Sequence, residues 1–391
     1  MTVRPTTPEE NKRAAELFAI DFRMAMPPGT VAPGGTPGKR RWAAFDEDGE
    51  MMASLLLTDY TVHFDGNHSP IAAFGGVNTL PPYRRSGCIR RCFEEILPQL
   101  YAEGCEFSYL YPFSTGYYLQ FGYERCIQLI QAQVELLQLK LPKPTGYFRL
   151  AEQHNPLLSA VQAVDRVWEQ TFNMIVCREE PHYRWLLASD PAVKQEFTYV
   201  CFDAAGIPKG YTTFQVDGNQ NLDCSRFVFA DKEGFLGLLQ IFKSLSADHR
   251  YVTFRMPMMS AVQYLLPEWN LGAVQWSLQP HGMVRVIHAQ RVLEKAKYLG
   301  SGAAVLEIQD PLIPENNGRF AVSFADGKAT EVARTDAAAD VVLSIGAFSA
   351  LITGVWDMAD TPWLEGIEIR NPAAPLSQIF YKKPLMITDP F

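Results

Sequence analysis

The sequence predicts an α+β protein with mixed α/β sheets, in which one fold occurs twice in tandem and a smaller α+β domain follows. Three observations support this prediction. A helix, a meander of strands, a basic turn and a second helix follow one another early in the chain; the same order returns further on; and the remaining segment alternates short strands with helices. We expect domains at residues 1–141, 142–285 and 286–391.

The first copy begins with a helix over residues 7–22. Its start is indicated by Thr7-Pro8-Glu9-Glu10, which places a hydroxyl at the N-cap, a proline at the first helical position and a carboxylate at the third. Apolar residues at helical spacing predict a second helix over 88–101, and a short helix is expected over 116–120. The predicted strands are rich in β-branched, aromatic and aliphatic residues and cover 41–45, 51–63, 71–80 and 107–111.

The second copy follows a proline-rich boundary at 139–146. We expect helices over 155–170 and 234–246, and strands over 197–202, 209–215, 222–229 and 251–255. Where the first copy has its basic turn, this copy has Ala230-Asp231-Lys232-Glu233-Gly234, and two carboxylates would repel a phosphate. The second copy is therefore predicted to have a structural role. In the third domain the expected elements are helices over 289–299 and 346–353 and strands over 304–308, 318–324 and 341–345.

Length and composition exclude several classes of protein. A chain of 391 residues with 47% apolar and 20% charged residues can form two or three globular domains. A formal net charge of −8 argues against nucleic acid as a partner, and the absence of a long uncharged apolar run argues against a membrane span. Since the N-terminus also lacks the apolar stretch of a secretory signal, we expect a cytoplasmic protein. The seven cysteines form no Cys-x-x-Cys pair, so neither a disulfide framework nor a metal site is expected.

The strongest local signal for a binding site is the run from Val77 to Ile89, which contains Arg84-Arg85-Ser86-Gly87. A strand here leads into a glycine-containing turn and then a helix, so unpaired backbone N–H groups and the positive end of the helix dipole would meet at one point. Such a turn suits a diphosphate. A strand that splays from its neighbour before this turn would also expose peptide groups to a pantetheine arm and, near Thr79, polarise a thioester carbonyl. The alternative is a basic turn that caps an ordinary amphipathic helix.

A second signal is the run from Leu110 to Glu124, in which a strand ends and a short helix carries Tyr118 beside the basic turn. Tyr118 is our candidate general acid. A phenol with an ordinary pKa of about 10 protonates a thiolate with an ordinary pKa of about 8.5 only if its surroundings alter these values. The alternative is that Tyr118 is a core residue with a satisfied hydroxyl.

These two motifs, in this order and at this separation, resemble the catalytic domain of the enhanced intracellular survival (Eis) family of acetyltransferases. The resemblance covers the whole chain and includes the Tyr-x-x-Phe-Gly-Tyr run at 118–123, the altered second turn, and the PLIPENNG run at 311–318. It implies two GCN5-related acetyltransferase domains, the second degenerate, followed by a sterol-carrier-like domain. It also implies acetyl-coenzyme A as cosubstrate, with no metal.

The resemblance also assigns site residues, motif by motif. Tyr118 occupies the position of the catalytic tyrosine, and the general GCN5-related pattern has Gly or Ala where this chain has Ile89. The terminal Phe391 is similar to a C-terminal phenylalanine whose α-carboxylate acts as the base for the amine. The residues that this assignment gives to the coenzyme are Val77, Thr79, Arg84, Arg85, Ser86, Gly87, Cys88 and Ile89.

The acceptor implied by the resemblance is a small-molecule primary amine of aminoglycoside type, which attacks the acetyl carbonyl directly in a ternary complex. The resemblance also implies a homo-oligomer, hexameric by analogy. From the residues themselves, Asp21, Glu124 and Asp389 are candidates for attracting ammonium groups, and Trp42 or Phe22 for stacking on the acceptor. Two alternatives stay open. The acceptor could be a protein lysine or a polyamine, or the chain could be a non-catalytic protein that binds acetyl-CoA or a lipid and acts in regulation.

Overall fold

The structure is a computed structural model, and it describes residues 1–26, 38–126, 128–188, 190–258, 261–266 and 272–389. The chain forms two compact units. One contains residues 1–126 and 282–383 together with the segment that begins at Ile387, and the other contains residues 127–281 with 384–386. Among the described residues, no helix combines the length and apolar character needed to cross a membrane.

The first unit contains a mixed seven-stranded sheet with the order β1-β2-β3-β4-β5-β14-β6. Its neighbouring strands are antiparallel except for β4 and β5, which run parallel. The strands are β1 (Thr2–Pro5), β2 (Lys39–Phe45), β3 (Met51–Phe64), β4 (Asn67–Thr79), β5 (Phe107–Leu110), β6 (Glu124–Arg125) and β14 (Met283–Val286).

Two helices cover opposite faces of this sheet, and a third is short. They are α1 (Glu10–Asp21), α2 (Cys88–Ala102) and α3 (Thr115–Leu119). Trp42 and Ala44 of β2 belong to the core under α2, whereas the alternate residues Ala43 and Phe45 pack in the core under α1. This alternation is the period of two that a strand imposes on its side chains.

The capping turn before α1 forms as the sequence predicts. The backbone N–H of Thr7 donates to the Glu10 carboxylate at 2.8 Å, and the Glu10 N–H donates back to the Thr7 hydroxyl at 3.4 Å. Glu10 also pairs with Arg4 of β1 at 2.7 Å. The start of α1 is thereby tied to the edge of the sheet.

The second unit contains a seven-stranded sheet with the order β13-β7-β12-β11-β10-β9-β8. Its strands are β7 (Gln128–Glu135), β8 (Tyr147–Leu150), β9 (Glu196–Phe202), β10 (Pro208–Val216), β11 (Leu222–Phe229), β12 (Tyr251–Pro257) and β13 (Val274–Pro280). Its helices are α4 (Leu158–Thr171), α5 (Glu180–Leu186), α6 (Pro191–Lys194) and α7 (Lys232–Ser244).

The two sheets exchange a strand. The strand β7 follows the first copy in sequence but pairs with β12 and β13, and β14 follows the second copy but pairs with β5 and β6. The compact units consequently divide near Cys126 and Gly282 instead of at the proline-rich boundary over 139–146. Sequence patterning predicts that a segment is a strand, but the choice of sheet depends on which edge the strand reaches.

The third domain lies in the first unit and has a five-stranded sheet with the order β17-β16-β15-β18-β19. Its strands are β15 (Gly302–Gln309), β16 (Gly318–Ala325), β17 (Lys328–Arg334), β18 (Val341–Ser344) and β19 (Ile367–Ile369), and its helices are α8 (Ala289–Lys295), α9 (Ile345–Thr353) and α10 (Leu376–Ile379). All residues of α9 except Gly346 are buried, and this helix packs on β14 and β18.

Candidate active site

The turn between β4 and α2 presents unpaired amides in an open position. A single 3₁₀ turn, Pro81–Tyr83, precedes it, and both Arg85 (φ 68°) and Gly87 (φ 86°) adopt the left-handed conformation. The first α-helical bond runs from the Arg91 N–H to the Gly87 carbonyl at 2.9 Å, so the preceding amides have no acceptor in the helix. A Cβ atom added at Gly87 would meet nothing within 4 Å. The turn can therefore approach an anion closely.

The strand before this turn contains a β-bulge. Ser54 of β3 pairs with Asn78, but Leu56 pairs with Gly75, so Gly76 and Val77 together oppose one residue. Gly76 adopts the left-handed conformation (φ 57°). The buried Asn78 amide holds the bulge by donating to the Gly76 carbonyl at 2.7 Å and to the Ser54 hydroxyl at 2.9 Å. The bulge redirects the peptide groups of β4 next to the turn.

The strands β4 and β5 separate as predicted. Their parallel pairing ends at Phe74 and Leu110, whereas β4 continues to Thr79. A V-shaped opening between two parallel strands leaves peptide groups of β4 available to an extended ligand.

A cleft of about 520 Å³ adjoins this opening. Of the residues predicted to bind the coenzyme, Val77, Thr79, Arg84, Arg85 and Ile89 line it. The other lining residues come from the end of α1, from the bulge and from α3 with its preceding loop, and they are Asp21, Phe22, Asn78, Phe113 and Tyr117.

The two arginines of the turn have different surroundings. Arg84 forms an ion pair with Asp21 at the end of α1 and donates to the Thr79 carbonyl at 3.3 Å. Arg85 has no carboxylate partner among the residues that the structure describes. One guanidinium is thus held in place by a carboxylate of the protein, and the other, as far as the described residues extend, is available to a ligand.

Tyr118 lies beneath the aromatic wall of the cleft, which Phe113 and Tyr117 form. Only 2% of Tyr118 is exposed, and its ring centroid is 5.3 Å from that of Tyr117 and 5.5 Å from that of Phe113. Burial, and secondarily the neighbouring Tyr117, raises the pKa of Tyr118 above its ordinary value. The hydroxyl therefore stays protonated at neutral pH, as a proton donor must, although this shift makes it a weaker acid.

The C-terminal segment reaches the end of β5. The Tyr111 hydroxyl donates to the Asp389 carbonyl at 2.9 Å, and the Thr388 hydroxyl donates to the Asp389 carboxylate at 2.8 Å. The predicted base, the carboxylate of Phe391, lies outside the described residues. Asp389 is thus anchored at the end of the strand that splays from β4.

Several predicted site residues are not brought to the cleft. Trp42 is a core residue in β2, 5% exposed, so the structure gives no support to a stacking role. Glu124 lies on β6 and accepts from the Arg125 N–H at 2.9 Å, and Cys88 is buried at the start of α2. Ser86 donates to the Tyr83 carbonyl at 2.5 Å and thereby stabilises the turn.

Sequence reasoning missed the contributions of Asn78, Phe113 and Tyr117. Asn78 had a detectable signal, because the glycines Gly75-Gly76 inside an apolar strand are typical of a bulge and the polar Asn78 follows them after one residue. Phe113 and Tyr117 had none, since an aromatic residue near a strand end is equally typical of a core.

The corresponding turn of the second copy is capped by a side chain of the protein itself. The Asp231 carboxylate caps α7 by accepting from the Gly234 N–H at 2.9 Å, and Lys209 pairs with Asp231 at 2.9 Å. A Cβ atom at Gly234 would lie 2.0 Å from the Lys209 carbonyl oxygen. The Trp168 indole N–H donates to the Phe229 carbonyl at 2.7 Å, just before the turn. The Gly234 amide and the Phe229 carbonyl, which an anion and a pantetheine arm could otherwise engage, are thus satisfied within the protein, although a cleft of about 320 Å³ adjoins them.

No cluster of three or more His, Cys, Asp or Glu side chains suited to a metal ion occurs among the described residues. All seven cysteines are free of disulfides, and six of them are buried.

Sequence models of three domains match the chain. An acetyltransferase (GNAT) domain matches residues 2–126, a second acetyltransferase (GNAT) domain matches residues 175–286, and a sterol carrier protein domain matches residues 289–387. No curated protein matches the chain. The predicted tandem arrangement and the nature of the third domain are confirmed.

Solved structures share this architecture over the full chain. A protein of Enterococcus faecalis V583, described as a probable N-acyltransferase, has a TM-score of 0.87 at 21% identity and covers 100% of this chain and 99% of its own. A GCN5-related N-acetyltransferase from Anabaena variabilis has a TM-score of 0.85 at 18% identity, with 100% of both chains covered. Eis1 from Mycobacterium abscessus has a TM-score of 0.80 at 17% identity, also with 100% of both chains covered.

At these identities the structural likeness establishes the fold, and membership of the Eis family stays a prediction. The two GNAT domain matches, together with the open turn in the first copy, identify the type of protein. The chain is an acetyltransferase made of two GNAT domains followed by a sterol carrier protein domain.

Proposed function

We propose that the first GNAT domain transfers an acetyl group from acetyl-CoA to a primary amine of a small polycationic acceptor of aminoglycoside type. The observation that carries this proposal is the open turn over 84–87, which adjoins a cleft of about 520 Å³ with Tyr118 beneath its wall. Acetyl-CoA supplies the acetyl group and leaves as the thiol.

The residues around the turn fit the coenzyme. The amides at the start of α2 and the unpaired guanidinium of Arg85 suit a diphosphate, and Gly87 has open space on its exposed side. The peptide groups of β4 beyond Phe74 suit an extended amide-containing arm. The bulge at Gly76 and Val77 directs a peptide group toward the place where a thioester carbonyl would develop negative charge. Ser86 and Cys88 contribute through the shape of the turn.

Tyr118 is the proposed proton donor to the departing thiol. Proton transfer from Tyr118 depends on the difference between its own pKa and the pKa of the departing thiol, and burial raises both. The same effect that raises the pKa of Tyr118 raises that of the buried Cys92 thiol to about 12. A thiolate released beside Tyr118, in similarly apolar surroundings, is consequently a stronger base than a thiolate in water.

The C-terminal carboxylate of Phe391 is the proposed base for the acceptor amine. Its support is the resemblance described above and the anchoring of Asp389 by Tyr111 at the end of β5. Asp21 at the cleft and Asp389 supply negative charge, and the net charge of −8 favours cationic acceptors. Because no covalent enzyme intermediate is needed, positioning within a ternary complex carries the rate enhancement.

We further propose that the protein acts in the cytoplasm as a homo-oligomer, hexameric as the resemblance implies, without nucleic acid or membrane partners. The support for this is the resemblance, the acidic charge and the lack of a long apolar run in the sequence.

The test is turnover of acetyl-CoA with three groups of acceptors: aminoglycosides, polyamines and lysine peptides. Tyr118→Phe should lower kcat by about 10²-fold or more, and so should one residue appended after Phe391, because each removes a proton-transfer group. The affinity for acetyl-CoA should change little in both variants.

Trp42→Phe provides a control, because the core position keeps an aromatic ring. If no acceptor of the three groups leads to release of free coenzyme A, the result favours the regulatory binding protein. Turnover restricted to polyamines or lysine peptides would change the acceptor class.

A further inference from the structure

We propose that the buried ion pair between Arg285 and Asp310 positions Tyr118, and that the sterol carrier protein domain contributes to catalysis through this pair. This inference rests on the proposed function of Tyr118 and adds two positioning residues to it. Neither residue was singled out by the sequence, although Asp310 immediately precedes the PLIPENNG run.

The helix that carries Tyr118 is too short to hold its own position. α3 has five residues, and its N-cap residue, Ser114, makes no side-chain cap bond. Isolated helices of this length are unstable in water, so tertiary contacts at the ends must fix them.

The C-terminal end of α3 leads directly to Arg285. The Phe121 N–H donates to the Tyr118 carbonyl at 3.0 Å, and the Phe121 carbonyl accepts from Arg285 Nε at 2.7 Å. The peptide group before Phe121 is therefore held through its N–H by Tyr118. The peptide group between Phe121 and Gly122 is held through its carbonyl by Arg285. A Cβ atom added at Gly122, whose φ is 76°, would lie 3.2 Å from Arg285 Nε and 2.5 Å from Ile345 Cγ2.

Arg285 is fixed in turn by the third domain. Its Nη2 atom is 2.6 Å from Asp310 Oδ1, and both side chains are fully buried. Nη1 donates to the Val286 carbonyl at 2.8 Å. The planar guanidinium thus uses its separate donors for three acceptors in fixed directions, which a lysine cannot reproduce.

The carboxylate of Asp310 is also fully engaged. Oδ1 accepts from the N–H groups of Leu312 and Ile313 at 3.0 and 3.1 Å, and Oδ2 accepts from the Asn316 amide at 2.9 Å. The Asn317 side chain pairs with the Asp310 backbone at 2.7 and 2.8 Å. These contacts give the polar end of the run at 311–318 a role: it orients a carboxylate toward Arg285.

Three segments of the chain meet at this pair. Phe121 lies in the first GNAT match, Arg285 in the last strand of the second and Asp310 in the sterol carrier match. All three belong to the same compact unit. Simple stabilisation does not require a fully buried charge pair, since well-packed apolar residues often serve as well or better. Because Arg285 of this pair donates to the Phe121 carbonyl just after α3, the pair is better explained by the positioning of Tyr118.

The test is a double-mutant cycle on kcat, measured per folded molecule, with wild type, Arg285→Lys, Tyr118→Phe and the double variant. Arg285→Lys keeps the charge but loses the fixed donor to Phe121. We expect kcat to fall about 10- to 100-fold, as for a small displacement of a catalytic group, with KM for acetyl-CoA within about twofold of wild type. In the Tyr118→Phe background the same change should have little further effect, because the group it positions is gone.

Lys295→Met is the matched control. Lys295 also pairs with a buried carboxylate, Glu106, at 2.7 Å between the first and third domains, but its other acceptor is the His68 carbonyl of β4 and not the peptide that follows α3. It should lower the melting temperature and leave kcat unchanged. If Arg285→Lys does not fold, Gly122→Ala takes its place, because it displaces the same peptide. Its control is Gly327→Ala, in the β16–β17 turn, where the glycine has a similar φ of 80°.

Three outcomes separate the claims. Full turnover in Tyr118→Phe would overturn the proposed role of Tyr118 and this inference with it. Suppose that Tyr118→Phe greatly lowers kcat and that Arg285→Lys lowers kcat by the same factor in wild type and in Tyr118→Phe. That result would overturn the positioning inference and leave the role of Tyr118 intact. The inference alone would also be overturned if Arg285→Lys lowered the melting temperature but kept the kcat of wild type. The same holds for Gly122→Ala where that variant replaces Arg285→Lys.

Discussion

At the scale of single residues, the candidate site depends on groups whose surroundings set their chemistry. Arg84 and Arg85 are neighbours of the same type, yet one is paired with Asp21 and the other has no carboxylate partner among the described residues. Tyr117 and Tyr118 are also neighbours, and one lines the cleft while the other lies beneath it. Residue type alone does not distinguish the members of either pair.

The pH dependence of kcat tests the surroundings of Tyr118. Because burial raises its pKa above the ordinary value, the phenol keeps its proton in alkaline solution until well past the pH at which an exposed tyrosine ionises. We expect kcat not to fall between about pH 8 and about pH 10, where a tyrosine with an ordinary pKa of about 10 would begin to lose its proton.

This prediction is checked with a saturating amine acceptor, and Tyr117→Phe serves as control, since its hydroxyl is not the proposed donor. A decline of kcat centred near pH 8 or 9 that disappears in Tyr118→Phe would show that the Tyr118 hydroxyl ionises there, and would contradict the raised pKa that its burial gives.

At the scale of single elements, helix ends decide what each copy of the fold can do. α2 begins after a left-handed glycine with open space, and α7 begins with the Asp231 carboxylate on its own amides. One N-terminus is available to an external anion, and the other is already satisfied. The two copies thus share an architecture and differ at the atoms that matter for binding.

The capping turn of α1 gives a pH-dependent stability. The hydrogen bond from Arg4, reinforced by the Thr7 N–H, lowers the pKa of Glu10 to about 2 from 4.5. The folded state therefore binds fewer protons than the unfolded state between these values, and this stabilisation, present above pH 4.5, is lost as the pH falls toward 2. Since the pair is partly exposed, its worth at neutral pH is about 0.5–1 kcal/mol.

Glu10→Gln should accordingly weaken the protection of α1 amides by about 0.5–1 kcal/mol at neutral pH, and the difference from wild type should shrink below about pH 4. Hydrogen exchange of the α1 amides measures it. Glu16→Gln, which alters an exposed carboxylate on the same helix, is the control. A difference independent of pH would show that the Glu10 charge is not responsible.

At the scale of the whole molecule, duplication is expected to give one coenzyme site instead of two. Calorimetric titration should find one acetyl-CoA bound per chain, because the Asp231 carboxylate caps the start of α7 and places negative charge where the diphosphate would bind. The double change Arg84→Ala and Arg85→Ala should abolish or greatly weaken this binding, while Asp231→Ala should leave the stoichiometry at one. Two sites of similar affinity in the wild type would contradict the structural role of the second copy.

A second buried pair, between Asp65 and Lys383, tests how the first and third domains are held together. Lys383 Nζ is 2.5 Å from Asp65 Oδ2, and both side chains are nearly inaccessible. Burial lowers the pKa of Lys383, although Asp65 opposes this shift. Lys383→Met removes the ammonium partner of a buried carboxylate, so we expect a loss of about 3–5 kcal/mol in the free energy of unfolding.

Urea unfolding checks this value. Lys383→Met with Asp65→Asn should recover much of the loss, since the uncompensated charge is removed, and Lys382→Met, which changes an exposed lysine, should cost less than about 1 kcal/mol. A double variant no more stable than Lys383→Met would show that the pair is not the cause.

Much of the fold could be predicted because its signals are local. The spacing of apolar residues in α2 and the capping turn of α1 place both helices within a few residues of their observed bounds. The short edge strands β1, β8 and β19 were missed, since three or four residues carry too little pattern, and the longer strands β7, β13 and β17 were missed as well. Site residues were predicted where a motif marks them, as at Arg85, and not where only packing does, as at Phe113.

The sequence by itself determined the repeated order of the main helices and strands, the duplication, the open first turn and the acidic second turn, because each depends on residues close together in the chain. The tertiary structure alone decided that β7 and β14 exchange sheets, that Trp42 is a core residue, and that Arg285 and Asp310 converge on the peptide beside Tyr118. The physical reason is the range of the interactions. Capping and turn formation act over a few residues, whereas strand pairing and charge burial depend on groups that only folding brings together.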